Sequence, residues 1–388
     1  MRVVLKPGRE RAVRQGHPWI FSGAIAAVDG SGPPGTVVEV RDAARRLLGC
    51  GTWNPATSIA VRMLARDVPA IDAAFVRRRL EAALALRTLA RDTDALRLVN
   101  GEGDGLPGVV VDRYGAYLVC QILTAGAELL RTTIVDGLVA LVGPDGIYER
   151  SEGNVRAAEG LGPSTGRIHG AEPPATLTVT ERGRRYLVDV RAGQKTGLFL
   201  DQRPNRDLVA RLAGGRRMLN LFAYTGAFAV AGAQGGAVSV TSVESSAAAL
   251  ATAEATWRLN ELPPAAGVFT RADVFEYLRG AVPPADLLVL DPPPFARRRA
   301  DRERALTGYK EVNLRALRAC APGALLLTFS CSQHVGADDL EGVLTAAAAD
   351  ARREARILAR LGPGLDHPQA LGHPEGRYLK GLLLMVAP

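Results

Sequence analysis

The stretch MLNLFAYTGAFAVAGAQGGAVSVTSVE, residues 218–244, contains a hydrophobic strand, a turn of small residues, an alanine-rich helix and a second hydrophobic strand. The same alternation continues towards the C-terminus, and it is typical of a doubly wound, mainly parallel sheet with helices on both faces. Five further strands are predicted at GVFTRAD (267–273), ADLLVLD (285–291), ALLLTFS (324–330), ARILARL (355–361) and YLKGLLLMVAP (378–388). The sequence therefore predicts an α/β domain over residues 191–388.

The chain before this domain divides into two segments of different pattern. Residues 1–70 are short β-type runs broken by glycine and proline, which indicates a small β-barrel. Residues 71–190 are predicted to form an α+β module that begins with a linker helix (70–91) and contains an amphipathic helix over 127–142. Its strands are predicted at LRLVNGE (96–102), GVVVDRYGAYLVCQIL (108–123), IYERSE (147–152) and LTVTERGRRYLVDVR (177–191), with a flexible joint at GLGPSTGRIHGAEPPA (160–175).

The composition indicates a soluble, cytoplasmic protein with reduced thiols. The 388 residues are enough for two or three hydrophobic cores. No uncharged apolar run is long enough to cross a membrane, and the first residues, MRVVLKPGRERAV, lack the apolar stretch of a secretory signal. The four cysteines have no CxxC spacing and only five histidines are present, so no metal site is predicted. The net charge of +8 favours a polyanionic partner.

Polar side chains end four successive predicted strands of the α/β domain. Asn220, Glu244, Asp273 and Asp291 hold these positions. Ligands of open parallel sheets bind beyond the carboxyl ends of the strands, and a carboxylate there can accept both hydroxyls of a ribose. The sequence therefore predicts a site for a nucleoside-containing cofactor, with these candidate residues: Asn220, Phe222, Tyr224, Thr225, Gly226, Glu244, Ser245, Asp273, Val274 and Asp291.

The identity of the nucleoside follows from motifs that the sequence lacks. The turn LFAYTGAF (221–228) offers a single glycine, whereas a dinucleotide site needs GxGxxG to receive a pyrophosphate. No GxxxxGK[ST] motif for ATP is present either. S-adenosylmethionine has no phosphate and carries a sulfonium cation, so it suits acidic strand ends and is the predicted cofactor.

The fourth strand leads into DPPPF (291–295), which predicts a rigid, extended substrate loop because proline fixes φ. Asp291, Pro292 and Pro293 can accept hydrogen bonds from the edge of a base, and Phe295 can stack on it. The loop continues into an arginine run in which Arg297 and its neighbours are candidates for phosphate contact. A solvated helix face is the alternative explanation of that run.

The fifth strand ends in TFSCS (328–332), which places Cys331 beside the same cleft. A thiolate that adds to carbon 6 of cytosine would make carbon 5 nucleophilic enough to accept a methyl group. Cys331 is therefore the predicted nucleophile and Asp291 its catalytic partner, whereas Cys50, Cys120 and Cys320 are predicted to be buried hydrophobic residues. His334 and a bound water are both candidates for removing the carbon 5 proton.

At this point the chain resembles the bacterial 23S ribosomal RNA large-subunit cytosine-5 methyltransferases that carry an N-terminal PUA domain. The resemblance runs nearly end to end, and GQKTGLFLDQRPNR and TFSCS are its most specific motifs. The motifs that carry it are HPWIFSGAI (17–25), NGEGDGLPGVVVDRYG (100–115), YERSEGNVR (148–156), GQKTGLFLDQRPNR (193–206), NLFAYTGAF (220–228), DPPPF (291–295), TFSCS (328–332) and EGRYLKG (375–381).

The resemblance implies a PUA barrel, a central EEHEE module and a class I methyltransferase domain with a seven-stranded sheet. It also implies cofactor contacts from Gln202, Arg203, the segment 222–226, Glu244 and Asp273, with Cys331 as nucleophile. Residues 193–203 alone predict a strand and an exposed polar turn, whereas the resemblance implies a lid over the methionine part of the cofactor and gives Lys195 a role there. The chain departs from its relatives at Pro294, where they usually carry lysine, and at residues 333–335.

Two competing functions remain open at this stage. The first is methylation of an exocyclic amine or a ring nitrogen of a base, for which DPPPF suffices and Cys331 is a bystander. The second is a non-catalytic RNA-binding assembly factor, against which the intact acidic strand ends and Cys331 argue. The predicted partner is RNA, from the resemblance 23S rRNA, with no membrane and no metal, and both a monomer and a homodimer fit a PUA-containing chain.

Overall fold

The computed structural model describes residues 1–68, 70–296 and 298–387 and divides the chain into two compact units. The first unit contains Met1–Val179, Val188–Leu198 and Leu365–Gly376. The second contains Thr180–Leu187, Phe199–Gly364 and Arg377–Pro388. The division of the sequence at residues 70 and 190 stays our proposal for the domain boundaries. Among the described residues, no helix combines the length and the apolar character needed to cross a membrane.

The first unit begins with a six-stranded sheet in the order β2-β6-β5-β4-β1-β3. β1 pairs with β4 in parallel, and the other pairs are antiparallel. Alternate residues of the strands, among them Val3, Leu5, Val38 and Val40, point into one core. The elements are β1 (Arg2–Leu5), α1 (Glu10–Arg14), β2 (Trp19–Phe21), β3 (Ile25–Asp29), β4 (Val37–Arg41), β5 (Leu47–Trp53) and β6 (Ile59–Ala65).

A five-stranded sheet in the order β11-β10-β9-β8-β7 completes the first unit. The linker helix α2 begins after Asp72, whose side chain accepts a hydrogen bond from the Phe75 N–H. The elements are α2 (Ala73–Arg87), β7 (Ala95–Asn100), β8 (Val109–Tyr114), β9 (Tyr117–Ile122), α3 (Ala125–Leu129), α4 (Arg131–Val142), β10 (Gly146–Ser151), α5 (Asn154–Ala158) and β11 (Ser164–Gly170).

Several details of this module differ from the sequence prediction, and the first is that the single strand predicted over residues 108–123 is a hairpin of β8 and β9. The predicted flexible joint contains β11, which pairs with β10 as the edge strand. Its glycine and hydroxyl residues resemble a loop, but Ile168 packs on the core and the neighbouring strand provides the hydrogen bonds. The strands predicted at 177–191 are present as β12 (Leu177–Glu181) and β13 (Arg184–Val188), but they form a separate two-stranded sheet.

A buried ionic cluster surrounds Glu181 at the end of β12. Arg206 Nη2 lies 2.5 Å and Arg203 Nε lies 3.5 Å from the Glu181 carboxylate, and Arg184 is its third cationic neighbour. Both arginines with the shorter contacts belong to helix α6 (Arg203–Leu212). Burial by itself would raise the pKa of Glu181, but the charges and hydrogen bonds of the arginines outweigh it and hold the pKa below its usual value.

The second unit is built on a seven-stranded sheet in the order β16-β15-β14-β17-β18-β20-β19. The five strands from β16 to β18 are parallel, and β20 runs antiparallel to both of its neighbours. The elements are β14 (Arg217–Leu221), α7 (Ala227–Gln234), β15 (Ser239–Glu244), α8 (Ala247–Leu259), β16 (Gly267–Arg271), α9 (Val274–Tyr277), β17 (Ala285–Leu290), α10 (Arg302–Ala319), β18 (Cys320–Ser330), α11 (Ala337–Ala351), β19 (Ala355–Leu361) and β20 (Lys380–Val386).

Helices cover both faces of this sheet, which explains why its strands are continuous apolar runs. Leu288 and Leu290 of β17 pack into the core that contains residues of α10 and α11. Leu287 and Val289 of the same strand pack into the opposite core with Phe228 of α7. Successive residues of each strand therefore alternate between two hydrophobic layers, as the period of a strand requires.

We expect Glu181→Gln to lower the free energy of unfolding by about 3–5 kcal/mol, because it removes the carboxylate that pairs with the buried Arg206 guanidinium. The matched control is Glu261→Gln, which removes an ion pair with Arg185 in which the glutamate side chain is 85% exposed, so it should cost less than about 1 kcal/mol. Urea unfolding at neutral pH measures both values. Equal losses would contradict this account of the cluster.

The Glu181 contribution also predicts a pH dependence. The pKa of this carboxyl is lower in the folded than in the unfolded state. Its stabilisation is therefore fully present above the unfolded value, about 4.3, and is lost as the pH falls through the lower folded value. In urea unfolding measured against pH, the stability difference between wild type and Glu181→Gln should therefore begin to shrink when the pH falls below about 4.3 and should keep shrinking in stronger acid.

Candidate functional site

The register of the parallel strands sets the position of the candidate site. Leu221 of β14 is level with Leu290 of β17, which is level with Thr328 of β18. The next residues, Phe222 and Asp291, therefore follow neighbouring strands at the same level of the sheet. Cys331 follows β18 and lies two residues further along the chain than that level. The carboxyl ends of β15 and β16 lie at the same edge, with Glu244 as the last residue of β15.

The turn after β14 has an unusual backbone. Phe222, Tyr224 and Gly226 have φ values of 57°, 46° and 78°. Such left-handed conformations cost energy for residues other than glycine, and they concentrate at ligand sites where the surrounding structure enforces them. Gly226 is also required by space, because a Cβ atom there would lie 2.8 Å from the Cβ atom of Ala253 in α8. The turn therefore keeps its backbone close to the edge of the sheet, in a conformation that the surrounding structure must stabilise.

Glu244 is held rigidly at the mouth of this turn. Its Oε2 accepts the Tyr224 N–H at 2.9 Å, and its Oε1 accepts the Ser246 N–H at 2.8 Å and the Ser245 hydroxyl at 3.3 Å. A carboxylate has about four acceptor positions, so capacity remains for a ligand hydroxyl. The half-buried side chain is thus oriented by the protein before any ligand binds.

Asp273 has a structural task as well as its predicted one. Its Oδ1 accepts the N–H groups of Phe275 at 2.9 Å and Glu276 at 3.1 Å, so it is the N-cap of α9. The residue is exposed and the following Val274 is buried. The Phe275 ring lies 6.4 Å from the Phe222 ring. Apolar side chains and an oriented carboxylate therefore lie next to each other at the end of β16.

Asn220 and Ser242 are buried polar residues that face each other across β14 and β15. Among the described residues, Asn220 Nδ2 and Ser242 Oγ have no hydrogen-bond partner. An unsatisfied buried group costs about 1–3 kcal/mol, and such groups commonly mark a place that a ligand or an ordered water completes. Together with two acidic strand ends and the absence of a phosphate-binding motif, they fit a nucleoside cofactor that carries a positive charge and no phosphate.

Gln202 and Arg203 lie in helical backbone and are buried, so the strand and exposed turn predicted from residues 193–203 alone were wrong. A 3₁₀ helix (Leu200–Gln202) leads into α6, and Gln202 Oε1 accepts the Asn205 side-chain N–H at 2.6 Å. Phe199 packs edge-to-face on Tyr224 at 5.2 Å, which brings this segment to the turn after β14. The cofactor roles of Gln202 and Arg203 stay predictions. Lys195 belongs to the first unit, in Val188–Leu198.

The DPPPF loop leaves β17 with its aromatic ring already packed. Asp291 is half-buried, Pro292 is buried and Pro293 is exposed. Phe295 lies 4.6 Å from the Tyr309 ring and 6.0 Å from the Phe275 ring, measured between ring centroids. Its predicted role in stacking on a base therefore depends on the part of the ring that these neighbours leave open. The predicted phosphate contact Arg297 lies outside the described residues.

Tyr309 of α10 joins the two predicted catalytic loops, and nothing in the sequence marks it beyond a helical position. Its hydroxyl lies 3.0 Å from Ser332 Oγ, which also accepts the Ala296 N–H at 3.3 Å. Burial raises the pKa of Tyr309, so the group is a neutral hydroxyl at neutral pH. The loop after Asp291 and the loop around Cys331 are thereby fastened to one another.

Cys331 differs from the other cysteines in exposure. Cys50, Cys120 and Cys320 are buried, as predicted, and Cys331 is half-buried at the end of β18. Burial raises the pKa of the Cys320 thiol to about 12. His334, a candidate proton acceptor, lies half-buried in the turn three residues after Cys331. Of the four thiols, Cys331 is thus the one with access to a substrate.

Lys380, the first residue of β20, stands directly opposite Ser330 in the antiparallel pair with β18. Its Nζ donates a hydrogen bond to the Ser332 carbonyl at 2.6 Å. Burial lowers the pKa of Lys380 to about 8, while the charges of Cys331 and Asp339 act in the opposite direction. In the parts of the chain that the structure describes, no group of three or more His, Cys, Asp or Glu side chains could hold a metal ion.

We expect Gly226→Ala to destabilise the protein by about 2–4 kcal/mol, the sum of left-handed strain and overpacking against Ala253, and to weaken S-adenosylmethionine binding. The control is Gly215→Ala in the same unit, where φ is 70° but a Cβ atom would meet nothing within 4 Å; it carries the strain alone, about 1–2 kcal/mol. Urea unfolding and titration calorimetry with the cofactor measure the two effects. Equal losses for both variants would show that the Ala253 contact has no part in shaping the turn.

Two family models match the chain. Residues 3–66 match the PUA-like domain, and residues 162–366 match the S-adenosylmethionine-dependent methyltransferase family. A ribosomal RNA large subunit methyltransferase I from Erwinia tasmaniensis is 40% identical over 393 residues, which cover 100% of this chain and 99% of that protein. The protein of the same name from Shewanella denitrificans is 42% identical over 394 residues, with the same coverage of both chains.

Solved structures agree with this assignment at the level of the fold. The crystal structure of SMU.776 complexed with SAH matches with a TM-score of 0.87 over 99% of this chain and 100% of that one, at 22% identity. The expected fold class, an N-terminal PUA-like domain followed by a class I methyltransferase domain, is confirmed, and so is the predicted cofactor, S-adenosylmethionine. The chain belongs to the S-adenosylmethionine-dependent methyltransferases, in the family of the ribosomal RNA large subunit methyltransferase I proteins.

Proposed function

We propose that this enzyme forms 5-methylcytosine in 23S ribosomal RNA through a covalent adduct between Cys331 and carbon 6 of the target cytosine. The observation that supports the proposal most strongly is the position of Cys331. It is the accessible thiol among the four, and it follows β18, the neighbour of the strand that leads into Asp291. The RNA substrate is inferred from the names of the full-length relatives and from the match to a PUA-like domain.

The chemistry requires a nucleophile because carbon 5 of cytosine does not attack a methyl sulfonium unaided. The Cys331 thiolate adds to carbon 6, and the electrons of the carbon 5–carbon 6 double bond move so that carbon 5 becomes nucleophilic. Bound S-adenosylmethionine supplies the methyl group that carbon 5 takes. Removal of the carbon 5 proton then returns its electron pair to the ring and expels the Cys331 thiolate.

The remaining residues hold the base and move protons. In this proposal Asp291 holds or protonates N3 and accepts a hydrogen bond from the exocyclic amine, which lets electron density shift in the ring as the thiolate adds. Pro292 and Pro293 keep that carboxylate on an extended loop, and Tyr309 fixes the loop against the Cys331 segment. The proton acceptor for carbon 5 is either His334 or a bound water.

RNA that contains 5-fluorocytosine at the target position should trap the wild-type enzyme, because fluorine at carbon 5 cannot leave as a proton. The covalent complex is expected on a denaturing gel with wild type in the presence of S-adenosylmethionine. Cys331→Ala should form none and should lose methylation by a factor of at least about 10⁴, the scale seen when a catalytic nucleophile is removed. Cofactor binding by calorimetry should stay unchanged in this variant.

The matched control is Cys320→Ala, which removes a buried thiol at the other end of the same strand. It should still trap. If Cys331→Ala methylates RNA at the wild-type rate, the thiolate mechanism is wrong and methylation of a ring nitrogen or an exocyclic amine is the better account.

Wild type that binds no S-adenosylmethionine would instead favour an assembly factor. Bisulfite sequencing of ribosomal RNA from cells without the protein identifies the target.

The arginines after the DPPPF loop are the candidate phosphate contacts that the structure describes. The side chains of Arg298 and Arg304 are 81% and 82% exposed, and both pair with Asp301 at 3.4 and 3.2 Å. Exposed ion pairs contribute little to stability, so these cations can exchange a carboxylate for a phosphate. A guanidinium can also make two parallel hydrogen bonds to such an anion.

We expect Arg298→Ala combined with Arg304→Ala to weaken RNA binding and to reduce the slope of log K against log salt by about 2, one for each phosphate that the variant no longer neutralises. Filter binding at several salt concentrations measures the slope. Arg258→Ala, which removes an exposed arginine on α8, is the control for the general effect of charge. The double variant removes two charges and the control removes one. If the slope falls by no more than twice the change seen in the control, the RNA does not contact these two arginines.

A further inference from the structure

We propose that the Lys380 ammonium holds Cys331 as the thiolate, so that Lys380 acts through Cys331 as a positioning residue. The inference rests on the proposed function, in which Cys331 is the nucleophile. It adds the group that makes this thiol reactive, because neither the strand end nor the neighbouring serines carry a positive charge.

The fold fixes the ammonium at this place. Lys380 lies opposite Ser330, the residue before Cys331, in the β18–β20 pair. Its Nζ is hydrogen-bonded to the Ser332 carbonyl at 2.6 Å. The ammonium is therefore held against the backbone on one side of Cys331, with two further N–H donors available.

The charges around Lys380 come from three other elements. Cys331 follows β18, and Asp339 in the first turn of α11 is the second charge that acts on Lys380. Asp339 is paired with Arg302 of α10 at 2.6 Å, so its charge is largely compensated. Tyr309 of α10 stays a neutral hydroxyl because burial raises its pKa. Of the two anions that act on the ammonium, the Cys331 thiolate is therefore the one that it stabilises most.

A cation within about 4–6 Å of an acid lowers the pKa of that acid by about 1–3. A free cysteine has a pKa of about 8.5, so without help only a few per cent is thiolate at neutral pH. An ammonium beside Cys331 raises that fraction, and the thiol proton leaves to solvent water. Burial lowers the pKa of Lys380 to about 8, so the ammonium persists at neutral pH and is lost in alkali.

Alkylation of native enzyme by iodoacetamide tests the proposal, because only the thiolate reacts and the other three cysteines are buried. The rate is measured against pH, with Cys331→Ala as the background. Wild type should show a midpoint below about 8. Lys380→Met should raise the midpoint by about 1 pH unit, which lowers the rate at neutral pH by about tenfold. Lys380→Arg, which keeps a cation, should restore most of the rate.

A midpoint at or above about 8.5 in the wild type, or an equal midpoint in wild type and folded Lys380→Met, would overturn the proposal. If Lys380→Met does not fold, as judged by its melting curve and its affinity for S-adenosylmethionine, the wild-type midpoint and Lys380→Gln decide the matter. Failure of the proposed function is separate, since it appears as the absence of a 5-fluorocytosine complex in wild type, whatever the alkylation profile.

Discussion

The parallel register of β14, β17 and β18 is the constraint on which the site depends. Because Leu221, Leu290 and Thr328 are level with one another, the turn after β14, the DPPPF loop and the Cys331 loop begin at one edge of the sheet. A shift of one residue in any of these pairs would turn the strand over and exchange its two hydrophobic layers. The two buried cores therefore fix the register, and through it they fix the relative heights of Phe222, Asp291 and Cys331.

Rigidity in the loops comes from polar contacts that the register alone does not provide. The turn after β14 holds two non-glycine residues at positive φ, and the Glu244 carboxylate accepts the Tyr224 N–H at its centre. The loop after Asp291 and the loop around Cys331 are joined through Tyr309 and Ser332. Each contact uses a side chain from a different element to hold backbone that has no regular structure. Such contacts hold loop residues to within a fraction of an ångström, which is the precision that reacting groups require.

The sequence predicted the elements whose signal is local. All strands of the seven-stranded sheet were predicted, because each is an apolar run bounded by turn residues, and the acidic residues at their ends were found by the same rule. β11 was missed because an edge strand with three exposed residues carries little hydrophobic signal. The helical backbone of residues 200–203 was missed, because it leads into α6, whose Arg206 forms a long-range ion pair with Glu181 that the local sequence does not reveal.

The residues that sequence reasoning did not assign share one property, which is that their function lies in a contact across the fold. Tyr309 is one of several apolar positions on α10, and only the structure places its hydroxyl next to Ser332. Lys380 follows a run of ordinary turn residues, and only the β18–β20 register places it opposite Ser330. A pattern within one element predicts which face is buried. It cannot predict which polar group of another element that face will meet.

Strand β18 begins with one cysteine and is followed by another, and the two thiols differ in burial. Cys320 begins the strand and lies in the core, where burial raises its pKa to about 12 and keeps it a neutral, unreactive side chain. Cys331 follows the last residue of the strand, where the helical layers end and a hydrogen-bonded ammonium stands nearby. The chemical identity of the two groups is the same, so the difference between them is entirely environmental. A sheet that is covered by helices along its length and open at its carboxyl edge imposes that difference in burial, and the thiol that we propose as the nucleophile is the one at the open edge.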